Sequence, residues 1–451
     1  MDIREGYHPI MSLATSRDPD GNEIIVAAGY CLTEDDTGRD LRIICYDVMS
    51  GHVRWEIREN QALPYRLTNP VLTMDSAGDV LVGWQSAMER QGENRLISKY
   101  SGRDGHLVWN WKVEDVDQGA YWKAIPASNP TDKDNLWVSG IRRENEKEYP
   151  RFVAVLDPKT GIALWRKELE SACTGFDNPA RICSMQDGGA ILVIPHSVRV
   201  EKPLWLIERR SSDGEIKWQH RISDVSDPFG ANVPLVVDET HGQAVLCWAP
   251  DKPSELHFAA LDLATGNERW HVRPHFPRGV DALTPGSNGQ TEWWTSDGPK
   301  IVHSTKWWRW KMVHGFPQPM RQSERIEQPM RITLSPNDGS IVEQEKFARP
   351  NESVAWLLSE PGSDSVKTVM LHTIEELHTF GNPSPASPLG QPWRTIELDS
   401  MTLTDLFARQ PGGYSAPDAF FPNHAALTPS GHLVIAGSPA PNTRQWQIRV
   451  W

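Results

Sequence analysis

The residue types best suited to chemistry in this chain of 451 residues are its five cysteines, Cys31, Cys45, Cys173, Cys183 and Cys247. A cysteine thiolate binds metals and attacks substrates. These five form no Cys-x-x-Cys pair and are odd in number, so their spacing indicates neither a zinc ribbon nor a disulfide framework. We therefore expect buried, reduced thiols and predict no metal site.

Two short motifs have some ligand character. His271 and His275 are four residues apart in "HVRPH", but that spacing places two imidazoles on one face only in a helix, and this segment has the pattern of a strand or loop. "DPDGNE" at 18–23 resembles the start of a calcium loop and lacks the rest of the twelve-residue pattern. Polar histidines and a hairpin turn are the simpler interpretations. The sequence predicts no catalytic residue and no cofactor.

A tryptophan-rich segment is the most individual feature of the chain, which has 20 tryptophans. Trp307, Trp308, Arg309 and Trp310 are of the types enriched at binding hot spots, so we treat them as a candidate interaction surface. Alternatively, the tryptophans of "WWRW" pack on both faces of a strand. Base stacking is a third interpretation, which the formal net charge of -13 opposes. The proline-rich stretch 379–396 is predicted to be a long loop and is a second candidate surface.

The elements that hold these residues follow from five other tryptophans, which recur every 52 to 56 residues: Trp55, Trp109, Trp165, Trp218 and Trp270. A turn glycine lies four residues before each of them: Gly51, Gly105, Gly161, Gly214 and Gly266. The interval is close to the length of one four-stranded propeller blade.

A second repeated phrase lies upstream of the tryptophans, at 69–84, 178–195 and 232–248. Each copy has two β-rich runs joined by a polar turn, which predicts a hairpin. Together with the hairpin that ends in tryptophan, each period makes a four-stranded antiparallel meander. Both faces of such a sheet carry apolar residues, so neighbouring sheets must cover them, and radial stacking into a β-propeller does this.

The number of blades depends on the C-terminal part of the chain, where the motif weakens. Residues 332–344 keep the turn but have Glu343 in the tryptophan position, and 396–407 is a more degenerate copy. Residues 424–438 predict another first hairpin, followed by one more strand in "QWQIRVW". We expect residues 2–5 to supply the missing strand and close the ring. The prediction is a single all-β domain over 1–451, an eight-bladed β-propeller, with an insertion-rich segment at about 285–330. Seven blades is the alternative.

Ala260, Asp262, Gly266 and Trp270 fit the pattern Ala-x-Asp-x-x-x-Gly-x-x-x-Trp. This pattern resembles the tryptophan-docking motif of the quinoprotein, or PQQ-like, β-propeller repeat family. The resemblance implies that each tryptophan stacks on the motif of the neighbouring blade and locks the ring. The copies that end at Trp109 and Trp218 have Ser101 and Arg210 in place of the aspartate. Stacking of these tryptophans on a quinone is the less favoured alternative.

The family also includes dehydrogenases that hold pyrroloquinoline quinone and Ca²⁺ in the central channel. The resemblance implies vicinal cysteines, carboxylate ligands and an export signal in those enzymes, and this sequence has no adjacent cysteines and no signal-like start. We therefore predict a non-catalytic scaffold or recognition subunit that binds a protein partner, with no membrane insertion. With Met1 as the native start, we expect a cytoplasmic protein. The alternative is an enzyme that binds a quinone or small molecule in the channel.

Overall fold

The computed structural model is all-β, with no helix in the residues that it describes. Those residues are 10–32, 39–63, 70–83, 85–86, 95–112, 122–126, 135–142, 151–169, 180–196, 204–223, 225, 235–248, 256–274, 282–285, 290–313, 316–346, 352–359, 366–373, 393–397, 402–405, 421–438 and 447–450. Over these ranges no helix has the length and apolar character needed to cross a membrane.

The described strands form eight antiparallel sheets, numbered here in chain order. Sheet 1 contains β1 (Ile10–Arg17), β2 (Glu23–Leu32), β3 (Arg39–Asp47) and β4 (Val53–Leu63). Sheet 2 contains β5 (Val71–Met74), β6 (Val80–Gly83), β8 (Arg95–Tyr100) and β9 (Leu107–Lys112). Sheet 3 contains β7 (Gln85–Ser86), β10 (Trp122–Pro126), β11 (Leu136–Arg142), β12 (Arg151–Leu156) and β13 (Ala163–Leu169). Sheet 4 contains β14 (Arg181–Ser184), β15 (Ala190–His196), β16 (Leu204–Arg210) and β17 (Ile216–Ser223).

The other four sheets continue the same meander. Sheet 5 contains β18 (Leu235–Asp238), β19 (Gln243–Trp248), β20 (His257–Asp262) and β21 (Glu268–Val272). Sheet 6 contains β22 (Ala282–Pro285), β23 (Thr291–Val313), β24 (Phe316–Leu334) and β25 (Ile341–Lys346). Sheet 7 contains β26 (Glu352–Ser359), β27 (Val366–Thr373), β28 (Trp393–Glu397) and β29 (Thr402–Asp405). Sheet 8 contains β30 (Phe421–Leu427), β31 (Leu433–Ser438) and β32 (Gln447–Val450).

The middle strands of the sheets are buried on both faces, as the sequence predicts. In β2, Ile24, Ile25, Val26 and Ala27 are each at most 1% exposed. Ile24 and Val26 pack into an apolar core shared with sheet 2, whereas Ile25 and Ala27 pack into cores shared with sheet 8. Alternate residues of one strand thus serve two different neighbours, because side chains alternate between the faces of a sheet.

The first and last sheets of the chain contact each other. The Thr15 hydroxyl donates a hydrogen bond of 2.5 Å to the Leu427 carbonyl, and the Ser430 hydroxyl donates one of 2.7 Å to Glu23. Residues 2–5, which we expect to close the ring as a strand, lie outside the described residues.

The predicted insertion is a long hairpin of sheet 6. β22 pairs with residues 291–294 of β23, and β25 pairs with residues 330–334 of β24. Between these limits, in the part of the chain that the structure describes, β23 and β24 pair only with each other, up to the Val313–Phe316 pair at the tip. The predicted proline-rich loop lies outside the described residues as far as 392, and β28 begins at Trp393.

Candidate functional site

The repeated tryptophans lie in the last strand of sheets 1 to 5, and each contacts a glycine in the next sheet. That glycine belongs to the turn between the third and fourth strands of a sheet (in sheet 3, between β12 and β13), which we call the outer turn. A Cβ atom placed on it would meet the indole ring at 2.7 Å for Trp55 on Gly105, 2.5 Å for Trp109 on Gly161, 2.8 Å for Trp165 on Gly214, 2.6 Å for Trp218 on Gly266 and 2.5 Å for Trp270 on Gly339. Only glycine allows this approach, and its φ in these turns is also positive, from 68° to 84°.

Each indole also donates a hydrogen bond into the outer turn that it contacts. The Nε1 acceptors are the carbonyls of Gly102, Pro158, Ser212, Leu263 and Pro336, at 2.8 to 3.0 Å. Four of the tryptophans are 7–8% exposed, and Trp165 is half-buried. A buried indole with its N–H satisfied combines a large apolar contact with a fixed orientation.

A β-bulge precedes every one of these tryptophans. Val155 pairs with Trp165 while its neighbour Leu156 pairs with Ala163, so Leu164 is the extra residue. Sheets 1, 2, 4, 5 and 6 show the same shift at the same place. A bulge changes the face on which the following side chains lie. It therefore places the tryptophan toward the next sheet, although the Gly-to-Trp spacing alone does not show this.

In sheets 1, 3 and 5 an aspartate organises the outer turn. Asp262 accepts hydrogen bonds from the backbone N–H groups of Ala264 and Thr265, at 3.0 and 2.9 Å, and pairs with Arg269 at 2.6 Å. The Arg269 hydrogen bond is the main reason that the pKa of Asp262 falls to about 2. Asp47 and Asp157 accept the equivalent backbone hydrogen bonds.

Sheets 2 and 4 use a cation instead, at the residue that pairs with the tryptophan. Lys99 lies 2.7 Å from Asp75 and 3.0 Å from Asp79, and donates to the Pro158 carbonyl that also accepts from Trp109. Burial by itself lowers the pKa of Lys99, but the bonds to the two aspartates outweigh it and raise the pKa.

Arg209 repeats this arrangement in sheet 4. It pairs with Asp187 at 2.7 Å and donates to the Leu263 carbonyl, which also accepts from Trp218. The outer turn of sheet 4 is one residue shorter than the others, because the Gly214 N–H donates to Ser211. Ser211, and not Arg210, therefore occupies the place of the motif aspartate.

The candidate chemical residues lie apart from one another. Of the described cysteines, Cys31, Cys45, Cys183 and Cys247 are free thiols, and burial raises the pKa of Cys45 to about 12, so it is protonated at neutral pH. Residues 18–22 form the hairpin turn between β1 and β2, as predicted. No group of three or more metal-ligating side chains occurs in the described ranges.

His271 has a partner that the sequence did not indicate. Its Nε2 lies 3.1 Å from Nδ1 of His257, and both rings pack on Trp248 at centroid distances of 5.2 to 5.3 Å. Burial lowers the pKa of His271. His275 lies outside the described residues, so the predicted His271–His275 pair stays a prediction.

Trp307, Trp308, Arg309 and Trp310 lie in β23, in the part of the hairpin beyond β22 and β25. The backbone register pairs Trp308 with Arg321, Arg309 with Met320 and Trp310 with Pro319.

A family model described as outer membrane protein assembly factor BamB matches residues 20–272, which is more than half of the chain. The chain belongs to this PQQ-like repeat family. The match spans all five of the repeated tryptophans and their turn glycines.

The solved structures that match the chain include a WD40 domain, a BamB and an alcohol dehydrogenase. The WD40 domain of SCAP from fission yeast is 9% identical and has a TM-score of 0.50, with 98% of each chain covered. BamB from Moraxella catarrhalis is 12% identical with a TM-score of 0.39, over 81% of this chain and 82% of that one. Quinohemoprotein alcohol dehydrogenase from Comamonas testosteroni is 11% identical with a TM-score of 0.45, over 96% and 72%. No curated protein matches the sequence significantly.

Proposed function

We propose that this chain is a non-catalytic β-propeller scaffold that binds a protein partner within a larger complex. The observation that carries the proposal is the series of tryptophan–glycine contacts between neighbouring sheets. The regularly spaced tryptophans and glycines contact one another, so we assign them to holding neighbouring blades together. The rim and the mouths of the channel are then free to bind a partner.

The ring that we propose has eight blades. Eight described sheets support this count, and the contact of sheet 8 with sheet 1 supports closure. Sheet 8 has three described strands, and residues 2–5 would supply its fourth. Pairing the two ends of the chain in one sheet removes an open edge.

The proposed locking residues are the five tryptophans and the glycines Gly105, Gly161, Gly214 and Gly266, each of which carries an indole. Gly51, the fifth proposed locking glycine, occupies the same place in sheet 1, with a positive φ of 69° and no described atom within 4 Å of an added Cβ.

The partner is proposed to be a protein and not a nucleic acid, because the formal net charge is -13. The description of the family is that of an assembly factor, a role that involves other proteins. Trp307, Trp308, Arg309 and Trp310 are the proposed contact residues. The proposed location is the cytoplasm, which fractionation of cells expressing the native gene would check.

The test is cross-linking in the native host followed by affinity purification and mass spectrometry. We expect one defined protein with wild type, lost with Trp307→Ala/Arg309→Ala and kept with the control Lys217→Ala/Arg221→Ala, whose residues are exposed on β17. Equal recovery with both variants would remove this surface from the proposal. Oxidation of alcohols by the purified chain with added quinone and Ca²⁺ would overturn the scaffold proposal in favour of an enzyme.

A further inference from the structure

The long hairpin of sheet 6 differs in charge from the rest of the molecule. We call residues 300–325 the arm. It contains six basic residues, Lys300, Lys306, Arg309, Lys311, Arg321 and Arg325, against Glu324. Its formal charge is therefore +5, which leaves -18 on the remainder of a chain whose total is -13. The arm is thus basic, whereas the rest of the chain is acidic.

The arm needs a surface to lie on. The 14 residues from 300 to 313 span about 45 Å as a strand, about twice the ~22 Å radius of gyration of a compact chain of this length. In the described residues its two strands pair only with each other beyond sheet 6. An isolated two-stranded hairpin is at best marginally stable in water.

The sequence of the arm alternates near its tip. Trp308, Trp310 and Met312 occupy alternate positions of β23, paired with Arg321, Pro319 and Pro317 of β24, and Arg309 and Lys311 occupy the positions between them. Tryptophan, arginine and methionine are all enriched in protein interfaces.

The backbone of β24 limits how the arm associates. Pro317 and Pro319 are alternate residues of this strand, opposite Met312 and Trp310. Proline has no N–H, so one edge of the ribbon lacks two donors and cannot be extended by a further strand there. This favours a defined contact over open-ended sheet growth.

A complementary surface lies at one end of the sheets. The outer turns of sheets 1 to 6 cover residues 47–52, 101–106, 157–162, 211–215, 262–267 and 335–340, and contain seven acidic and two basic residues. Consecutive outer turns are adjacent, because each tryptophan of one sheet reaches the turn of the next. Hydrogen bonds lower the pKa of an aspartate in each of the six turns, so all are ionised at neutral pH.

We propose that the arm of one copy docks on the outer turns of a second copy of this chain, and that two copies exchange arms. A reciprocal exchange has twofold symmetry and closes as a dimer. The attraction between +5 and -5 surfaces makes the contact sensitive to salt. This inference rests on the proposed function in one respect, because the arm contains Trp307, Trp308, Arg309 and Trp310. It names a second copy of this chain as what the arm contacts, and sedimentation of the purified chain tests it with no partner protein present.

The test is sedimentation velocity of the full chain at low and high NaCl. We expect a dimer at 50 mM salt that dissociates at 500 mM. Lys306→Glu/Arg309→Glu/Lys311→Glu should weaken the dimer about tenfold or more, whereas the control Arg181→Glu/Arg221→Glu/Arg273→Glu, at exposed positions outside the arm, should not. Circular dichroism and thermal melting establish that each variant is folded.

A charge exchange makes the test specific. Asp213→Lys/Glu215→Lys should weaken the dimer alone, and should restore it when combined with the arm variant. A monomer at every concentration and salt would overturn the proposal, as would a dimer that ignores the arm charges. Salt-dependent protease protection of the arm in a monomer would place the arm on its own ring. Nanomolar binding of a labelled oligonucleotide without dimerisation would assign the arm to nucleic acid.

Discussion

Replacing Gly161 with alanine tests the contact between neighbouring sheets most directly. A left-handed residue with a side chain costs about 1–2 kcal/mol, and Gly161 has a φ of 70°. The new Cβ would also lie 2.5 Å from the Trp109 ring, so the indole must move by about 1 Å to reach an ordinary contact. Overpacking of this kind costs about 1–3 kcal/mol, and the indole–Pro158 hydrogen bond contributes about 1 kcal/mol more when it is lost. The expected loss of unfolding free energy is therefore about 4 kcal/mol.

Gly51→Ala is the matched control. Gly51 has nearly the same φ, 69°, and no atom of the described residues lies within 4 Å of its added Cβ. Only the backbone cost of about 1–2 kcal/mol applies. Equilibrium unfolding in urea, followed by circular dichroism, measures both variants against wild type. A Trp109→Ala background completes the cycle, because there Gly161→Ala should cost no more than Gly51→Ala.

The two glycine variants would refute the reasoning if they destabilised the chain equally, to within about 0.5 kcal/mol. The same conclusion follows if the cost of Gly161→Ala is unchanged without the indole. Either result would mean that the Trp109 indole does not press on the outer turn that contains Gly161.

Four further predictions concern other parts of the molecule. Trp109→Ala should cost about 3–5 kcal/mol in urea unfolding, and Trp165→Ala clearly less because Trp165 is half-buried; equal costs would contradict this. Lys99→Met should destabilise by about 3–5 kcal/mol, because Asp75 and Asp79 lose their partner. The raised pKa of Lys99 means that its contribution is present below pH ~10.4 and is lost as the pH rises through the folded value; a wild-type alkaline melting profile identical to that of Lys99→Met would exclude it. The lowered pKa of His271 means that its contribution is present above pH ~6.5 and is lost as the pH falls; His271→Gln should flatten melting temperature between pH 7 and 5.5, and an unchanged slope would assign the effect elsewhere. Deleting residues 1–5 should lower the melting temperature if they close sheet 8, and unchanged melting would favour another closure.

The sequence predicts the sheets well because hydrophobic alternation and turn chemistry are local. The hairpins at 69–84, 178–195 and 232–248 occur as β5–β6, β14–β15 and β18–β19. The spacing of glycine and tryptophan is also local and visible in the sequence.

The contacts between strands and between sheets join residues that are distant in the sequence, so the sequence predicts fewer of them. A bulge shifts the register by one residue and moves side chains to the other face, which spacing does not indicate. Counting residues also assigns Arg210 to the position of the motif aspartate. The outer turn of sheet 4 is one residue shorter than the others, so Ser211 occupies that position instead. The His257–His271 contact joins two strands, and neither residue has a distinctive neighbourhood in the sequence. A predicted insertion at about 285–330 is recognisable by length, but its pairing into one continuous hairpin is not.

Sheets whose outer turn has an organising aspartate alternate with sheets that use a cation at the residue paired with tryptophan. The repeating unit of sheets 1 to 5 is therefore two sheets. Sheets 1, 3 and 5 have one kind of fastening, and sheets 2 and 4 have the other, in which Lys99 or Arg209 shares a carbonyl with an indole. Excising sheet 2 or sheet 4 would bring two aspartate sheets together and leave the shared carbonyl with one donor. Excising two adjacent sheets would preserve the alternation. Insertion or loss of sheets in pairs is therefore the change in length that keeps the alternation found in sheets 1 to 5.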